Sequence, residues 1–269
     1  MKLFSPAKIN LFFRVLKKQE GGFHEIASLM QAISMGDTLQ IEKGHLDQLT
    51  TSDPDLPCDE RNLIHQALRL YRIKTGYSEP IRIHVEKRIP MEGGLGGGSG
   101  NVATTLWAAN QLSGMGVKED FLRKWAGEIS SDAPFFFSSG TAYTEGRGEV
   151  VTSLEPLPSQ IIWIAKPLGK GLSTPWVYKH CRPNFHNIDP QEMLQNNLYL
   201  NDLEFPAFKL RPDLAKLKED LLNLGFEKVG MTGSGTAFFC FGLTNPKLEG
   251  VHFFKTTFLS RQPQKWYTA

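Results

Sequence analysis

Apolar and polar positions alternate over residues 8–16, with Ile9, Leu11, Phe13 and Val15 on one face and Lys8, Asn10, Phe12 and Arg14 on the other. That period predicts a β-strand presenting Lys8 and Asn10 together. The same alternation recurs over 81–89, where Ile81, Ile83, Val85 and Ile89 are interleaved with Arg82, His84, Glu86 and Arg88. A further strand is expected over 37–42, and a helix over 62–71 with Leu63, Ala67, Leu68 and Tyr71 on its apolar side. Val102, Leu106, Trp107 and Ala109 predict a helix running to about Leu112, and a second is expected over 118–129. A hairpin follows, 141–145 with 149–152, turned by Gly146-Arg147-Gly148.

Pro156 and Pro158 mark 154–159 as the best candidate boundary, which divides the chain into 1–155 and 156–269. Beyond it the pattern predicts a buried strand over 161–165 and a helix over 214–224. Two strands, 228–231 and 237–241, flank Thr232-Gly233-Ser234-Gly235-Thr236. Residues 183–212 read as irregular helix and loop, and the stretch from Pro246 carries no usable pattern.

Between the strand at 81–89 and the helix after it lies Pro90-Met91-Glu92-Gly93-Gly94-Leu95-Gly96-Gly97-Gly98-Ser99. Five glycines in six positions favour a loop that brings main-chain N–H groups close to a ligand, and the helix it opens adds a site for an anion. Phosphate is the expected ligand. The loop lacks the Gly-Lys-Ser/Thr ending of a Walker A loop, and Ser99 stands where a GxGxxG pattern needs its third glycine.

Composition narrows the class. With 269 residues, 41% hydrophobic, 22% charged and a net charge of +2, the chain reads as a soluble globular protein without a dedicated nucleic-acid surface. No apolar run approaches the ~20 residues of a membrane span, and Met1–Pro6 lacks a signal-peptide core, so a cytoplasmic location is expected. Cys58, Cys181 and Cys240 form no CxxC pair and the histidines no metal-binding spacing, so neither disulfides nor a metal site of protein ligands is expected.

Three segments carry a family likeness: Ser5-Pro6-Ala7-Lys8-Ile9-Asn10-Leu11, the glycine loop and Thr232–Thr236. Together they resemble the superfamily of galactokinase, homoserine kinase, mevalonate kinase and phosphomevalonate kinase. Within it, Pro6–Leu11, Gly22-Phe23-His24 and Gly93–Ser99 are similar to the family of 4-diphosphocytidyl-2-C-methyl-D-erythritol kinases. The resemblance implies an α+β fold of two domains, ribosomal-protein-S5-like then ferredoxin-like, with the active site between them. It assigns 1–155 to ATP binding and 156–269 to the substrate side. The implied activity is ATP-dependent phosphorylation of the 2-hydroxyl of a cytidine diphosphate derivative of methylerythritol, in the non-mevalonate route to isoprenoid precursors.

The resemblance implies roles residue by residue. Asp132, in Ser130-Ser131-Asp132-Ala133-Pro134, stands at the place of the catalytic aspartate, with Lys8 beside it and the transferred phosphoryl group. Asn10 would bind the substrate hydroxyls, Phe23 and Tyr178 would stack on the cytosine, and His24 would read its edge. Pro90, Gly93, Gly94, Leu95, Gly96, Gly97, Gly98 and Ser99 would hold the ATP phosphates, joined by Asn62, Lys87 and Asn101. Mg2+ is expected with ATP. Read as ordinary residues, Asp132 and Asn62 are helix caps, Lys8 and Lys87 solvated strand lysines, and Phe23 a core residue.

The chain departs from the family pattern at Glu92, where a small residue is usual, at Gly100 in place of a second serine, and at Ser130-Ser131 in place of Gly-Ala. Glu92 either burdens the phosphate loop with negative charge or points outward. Another kinase of the superfamily, or a catalytically silent ligand-binding relative, is the alternative; a base such as Asp132 has no use in a pure binder.

Overall fold

The alternating segment at the N-terminus belongs to a long strand, β1 (Lys2–Lys18), paired antiparallel along its length with β2 (His24–Lys43). These elements come from a computed structural model, which describes residues 1–19, 22–183, 190–196, 198–242 and 245–268. The simple two-face reading of 8–16 fails part-way. The register shifts between Asn10 and Phe12, so Phe12 joins Ile9 and Leu11 in one hydrophobic cluster while Phe13 and Val15 enter another. The strand lies between two packed layers, and a bulge there lets it serve both.

The second strand is longer than its polar pattern suggested. Residues 24–36 are buried on both faces for most of their length, which erases alternation. On the edge away from β1, β2 pairs first with β5 (Thr141–Glu145) and then with β4 (Ile81–Glu86). With β3 (Gln48–Thr51) parallel to β4, and β6 (Val150–Ser153) on β5, the first sheet runs β3-β4-β2-β5-β6, β1 branching from β2. One face is covered by α1 (Leu63–Thr75), α2 (Gly97–Ser113), α3 (Glu119–Ile129) and a short 3-10 helix, Ala133–Phe137. Leu39, Ile41, Ile83, Val85, Leu106 and Phe136 form part of the core between them.

The proline-bearing stretch leads from β6 into the second sheet, β10-β7-β9-β8. Its strands are β7 (Ile161–Pro167), β8 (Lys228–Met231), β9 (Phe238–Phe241) and β10 (Val251–Thr257), with α4 (Thr174–Lys179), α5 (Pro190–Gln195), α6 (Glu204–Leu210) and α7 (Pro212–Asn223) in the connections. Ile162, Ile164, Phe239 and Phe241 close the core against Ile9, Phe12 and Leu29. β10 has no counterpart in the sequence reading, because its adjacent Phe253 and Phe254 pack against different hydrophobic clusters, so no clean alternation appears. Within 183–212, residues 184–189 and 197 lie outside the described residues; α5 and α6 occupy much of the rest. After β10 the chain returns to the first sheet: Leu259 N–H donates to Ala32 O, and Trp266 packs on Trp107 and Phe137.

Candidate active site

The strand predicted to Ile89 stops at Glu86, and Asp37 is the reason. This carboxylate is fully buried and accepts from the N–H groups of Arg88 and Ile89, each at 2.8 Å, so the chain turns out of the sheet. Lys87 Nζ donates to both Asp37 oxygens at 3.0 Å, and Asn101 Nδ2 to one at 3.1 Å. A buried charge needs such compensation. Burial holds the Lys87 ammonium below its ordinary value, with Asp37 pulling the other way.

The glycine run is half loop and half helix. Gly94 (φ 77°) and Gly96 (φ 69°) take left-handed backbone, and Gly96 is the N-cap from which α2 starts at Gly97. Gly97, Gly98 and Ser99 therefore form its first turn, where amides have no helical acceptor. The second small-residue loop lies against the first. A Cβ on Gly235 would stand 2.1 Å from Gly94 N, and one on Gly94 would stand 2.2 Å from Thr232 O. Two such backbones meet only where neither carries a side chain. Gly100 is equally constrained: a Cβ there would lie 2.8 Å from Pro6 O, leaving no room for the serine it replaces.

β1 binds both loops through its free edge: Lys8 N–H donates to Leu95 O at 2.9 Å and Asn10 N–H to Thr232 Oγ1 at 3.0 Å. Lys8 is 3% exposed, not a solvated edge lysine. Its ammonium donates to Asn10 Oδ1 at 2.7 Å and lies 3.2 Å from Asp132 Oδ2. Its stem packs on Gly96, where a Cβ would come within 2.8 Å of Lys8 Cγ. Asn10 Nδ2 donates to Ser28 Oγ at 2.8 Å, which fixes the amide orientation. Asp132 takes the N-cap position of the 3-10 helix, yet its side chain makes no cap bond and turns to Lys8 instead. Ser99 and Ser130 hydroxyls are 2.8 Å apart beside them.

A cavity of about 630 Å³ opens over this pair, lined by Lys8, Asp132, Phe23, His24, Tyr178 and Gly94 among others. Phe23 is 53% exposed, which removes the core reading. Gly21 lies outside the described residues; Gly22 takes φ 84° and exposes the aromatic that follows. His24 is buried, its ring centroid 5.3 Å from that of Tyr178. Burial, then the nearby Lys18 charge, lowers the His24 pKa and favours neutral imidazole. Burial raises the Tyr178 phenol well above its usual range, with the Asp132 charge adding to the effect. Arg147, read in the sequence only as part of a hairpin turn, sits over the Phe23 ring at 5.0 Å, and Lys18 and Lys179 also line the cavity. No local signal marks these cations; only tertiary folding gathers them.

A second cavity, about 340 Å³, lies on the other side of the glycine loop and is lined by Pro90, Gly93–Ser99, Asn62, Lys87 and Asn101 together with Arg61. Asn62 caps α1 by accepting from Ile64 N–H at 3.0 Å, and also faces this cavity. Lys87 and Asn101 border it while bound to Asp37, a residue the sequence reading placed only in a strand. Glu92 also borders this cavity, and its carboxylate turns to Gly171, accepting from Gly171 N–H at 2.8 Å.

The chain matches the GHMP kinases N terminal domain over residues 62–140 and the GHMP kinases C terminal domain over 182–251. It is 50% identical, over its whole length and 93% of the relative, to the 4-diphosphocytidyl-2-C-methyl-D-erythritol kinase of Protochlamydia amoebophila. It is 41% identical to the chloroplastic enzyme of that name from Arabidopsis thaliana, spanning 99% of this chain and 76% of that one. A crystal structure of 4-(cytidine 5'-diphospho)-2C-methyl-D-erythritol kinase superposes with a TM-score of 0.80 at 32% identity, covering 96% of this chain and 99% of the other. A homoserine kinase from Cytophaga hutchinsonii, 20% identical with a TM-score of 0.66 over 89% of this chain and 84% of the other, shares the fold. Two small-residue loops joined on one strand edge, a lysine–aspartate pair beneath them and these likenesses along the full chain have one reading: the chain belongs to the GHMP kinases, ATP-dependent phosphotransferases, and within them to the 4-diphosphocytidyl-2-C-methyl-D-erythritol kinase family.

Proposed function

We propose that this protein transfers the γ-phosphoryl group of ATP to the 2-hydroxyl of 4-diphosphocytidyl-2-C-methyl-D-erythritol, a step of the non-mevalonate route to isoprenoid precursors. The observation that carries this reading is the Lys8–Asp132 pair, at 3.2 Å, on the floor of a cavity bounded by the glycine loop and by Phe23, His24 and Tyr178. An alcohol is a weak nucleophile. The Asp132 carboxylate accepts its proton, a contribution of about 10² to 10⁴ in rate for a positioned base. As the new P–O bond forms, the bond from the γ-phosphorus to the bridging oxygen of ADP breaks, ADP being the leaving group. Lys8 Nζ, held by Asn10, offsets negative charge on the phosphoryl oxygens in transit.

The acceptor binds in the larger cavity. Phe23 and Tyr178 offer ring faces to cytosine, and His24 with its backbone offers a donor and an acceptor to ring N3 and the 4-amino group. Lys18, Arg147 and Lys179 give the diphosphate a cationic wall. The nucleotide lies on the glycine-loop side, its phosphates facing the free amides of the first turn of α2.

Mg2+ fits this site as a partner of the nucleotide. Among the described residues no cluster of three histidine, cysteine or acidic side chains forms a metal cage. The hard oxygens at hand are Asp132 and the Ser99–Ser130 hydroxyl pair, suited to an ion held mostly by phosphates and water. When bound, that ion neutralises charge on the β- and γ-phosphates.

The decisive assay is ADP release by the purified protein with ATP, Mg2+ and 4-diphosphocytidyl-2-C-methyl-D-erythritol, with mevalonate and homoserine as controls. Turnover is expected only with the cytidine compound. Activity with a control moves the specificity to another member of the superfamily, and silence with all three leaves a binding protein.

A further inference from the structure

Glu92 has φ 56°, left-handed backbone that a non-glycine residue keeps only when its surroundings impose it. What imposes it here is a contact across the molecule. Glu92 Oε2 accepts from Gly171 N–H at 2.8 Å, in the segment between β7 and α4. A Cβ on Gly171 would stand 2.2 Å from Glu92 Cβ, so the approach requires glycine at that end.

The surroundings of the carboxylate are cationic. Lys166, near the end of β7, is 8% exposed and feels the Glu92 charge, which opposes the effect of burial on its ammonium. Arg211, which leads into α7, also acts on Lys166 and binds Lys170 O one residue before Gly171. Three residues after Gly171, Thr174 starts α4, and its hydroxyl is 2.8 Å from Ser234 Oγ of the second small-residue loop. Thr174 and Tyr178 both line the larger cavity. The segment before α4 is thus gripped at one end by each glycine-bearing loop.

We propose that Glu92 is a positioning residue: through Gly171 it ties the nucleotide loop to the segment 168–173, and so sets the α4 wall of the acceptor cavity. The inference rests on the proposed function only for the identity of the acceptor.

Two readouts test it, amide hydrogen exchange over 168–174 in the free protein and separate KM values for ATP and the cytidine acceptor. Glu92→Ala is expected to speed exchange across the segment and to raise the acceptor KM about three- to tenfold, more than the ATP KM, for one lost solvent-exposed hydrogen bond. Glu92→Gln keeps an oxygen for Gly171 N–H and is expected to retain most of the protection. Lys166→Met in the Glu92→Ala background should add little, because the Glu92 charge that couples Lys166 to the loop is already gone. Unchanged exchange in Glu92→Ala, equal rises in both KM values, or additive effects with Lys166→Met would each overturn the proposal. If the unmodified protein does not turn over the cytidine compound, the proposed function fails and the exchange measurement alone decides the role of Glu92.

Discussion

Replacing Asp37 by asparagine tests the foundation of the nucleotide side. The carboxylate is fully buried, Lys87 is 7% exposed, and five hydrogen bonds converge on the two Asp37 oxygens: two from Lys87 Nζ and one each from Arg88 N–H, Ile89 N–H and Asn101 Nδ2. An amide oxygen in place of Oδ1 keeps the two backbone donors, but the new NH2 group then meets Lys87 Nζ and Asn101 Nδ2, donor against donor. Lys87 retains Ile89 O and loses its counter-charge. Removing one partner of a buried pair costs about 3–5 kcal/mol. At roughly 2–4 °C per kcal/mol for a chain of this size, the melting temperature should fall by about 6–20 °C. Thermal and urea unfolding of Asp37→Asn, Lys87→Met and the double variant supply the test. The double variant should be less destabilised than the sum of the singles by about 1–3 kcal/mol, since it leaves no unpaired charge. A melting shift below 2 °C for Asp37→Asn, or additive singles, would refute the reasoning.

Three further outcomes are expected. Asp132→Asn should lower kcat by about 10² to 10⁴ while nucleotide affinity, read by titration, stays within a few-fold; near-normal turnover would remove Asp132 from the role of base. Gly235→Ala puts a methyl carbon 2.1 Å from Gly94 N and should push the two loops apart, costing about 1–3 kcal/mol in unfolding and more than tenfold in kcat/KM; an unaffected enzyme would contradict the backbone contact. His24 titrates below its ordinary 6.5 in the folded chain, so the unfolded chain binds more protons between that lowered pKa and 6.5, and stability is lost as pH falls through this window. Unfolding as a function of pH should show a shallower acid slope in His24→Gln, and identical slopes would show that His24 is not the group responsible.

The site was legible in the sequence to different depths. Composition marked the glycine loop, since few uses exist for five glycines in six positions, and the structure brings Gly93–Ser99 to the mouth of a helix as expected. Lys8 and Asp132 lie 124 positions apart, and no periodicity connects them; only the family motifs placed them together, and the structure brings them to 3.2 Å. Lys87 and Asn101 were visible as polar residues near the loop, but their link to Asp37 was not, because a buried aspartate at a strand position looks like any other. Glu92 left two readings open, and neither foresaw its bond to Gly171, a residue 79 positions away that only the fold brings to it. The missing strand segments share a cause. The first half of β2 is buried on both faces and β10 sets Phe253 and Phe254 against different clusters, so neither shows the alternation by which a half-buried strand is recognised.

The returning segment after β10 bears on how the protein is made. Arg261 is buried between Glu119 and the carbonyls of Phe137 and Lys265, and Trp266 completes the aromatic packing on Trp107 and Phe137. Glu119, Phe137 and Trp107 leave the ribosome well over a hundred residues earlier. Domains commonly fold as they emerge, amino-terminal part first. Here the amino-terminal half, which carries both Lys8 and Asp132, emerges with a gap in its core that residues 259–267 close last. A nascent chain that already holds Lys8 and Asp132 thus still lacks the aromatic residues that pack on Trp107 and Phe137.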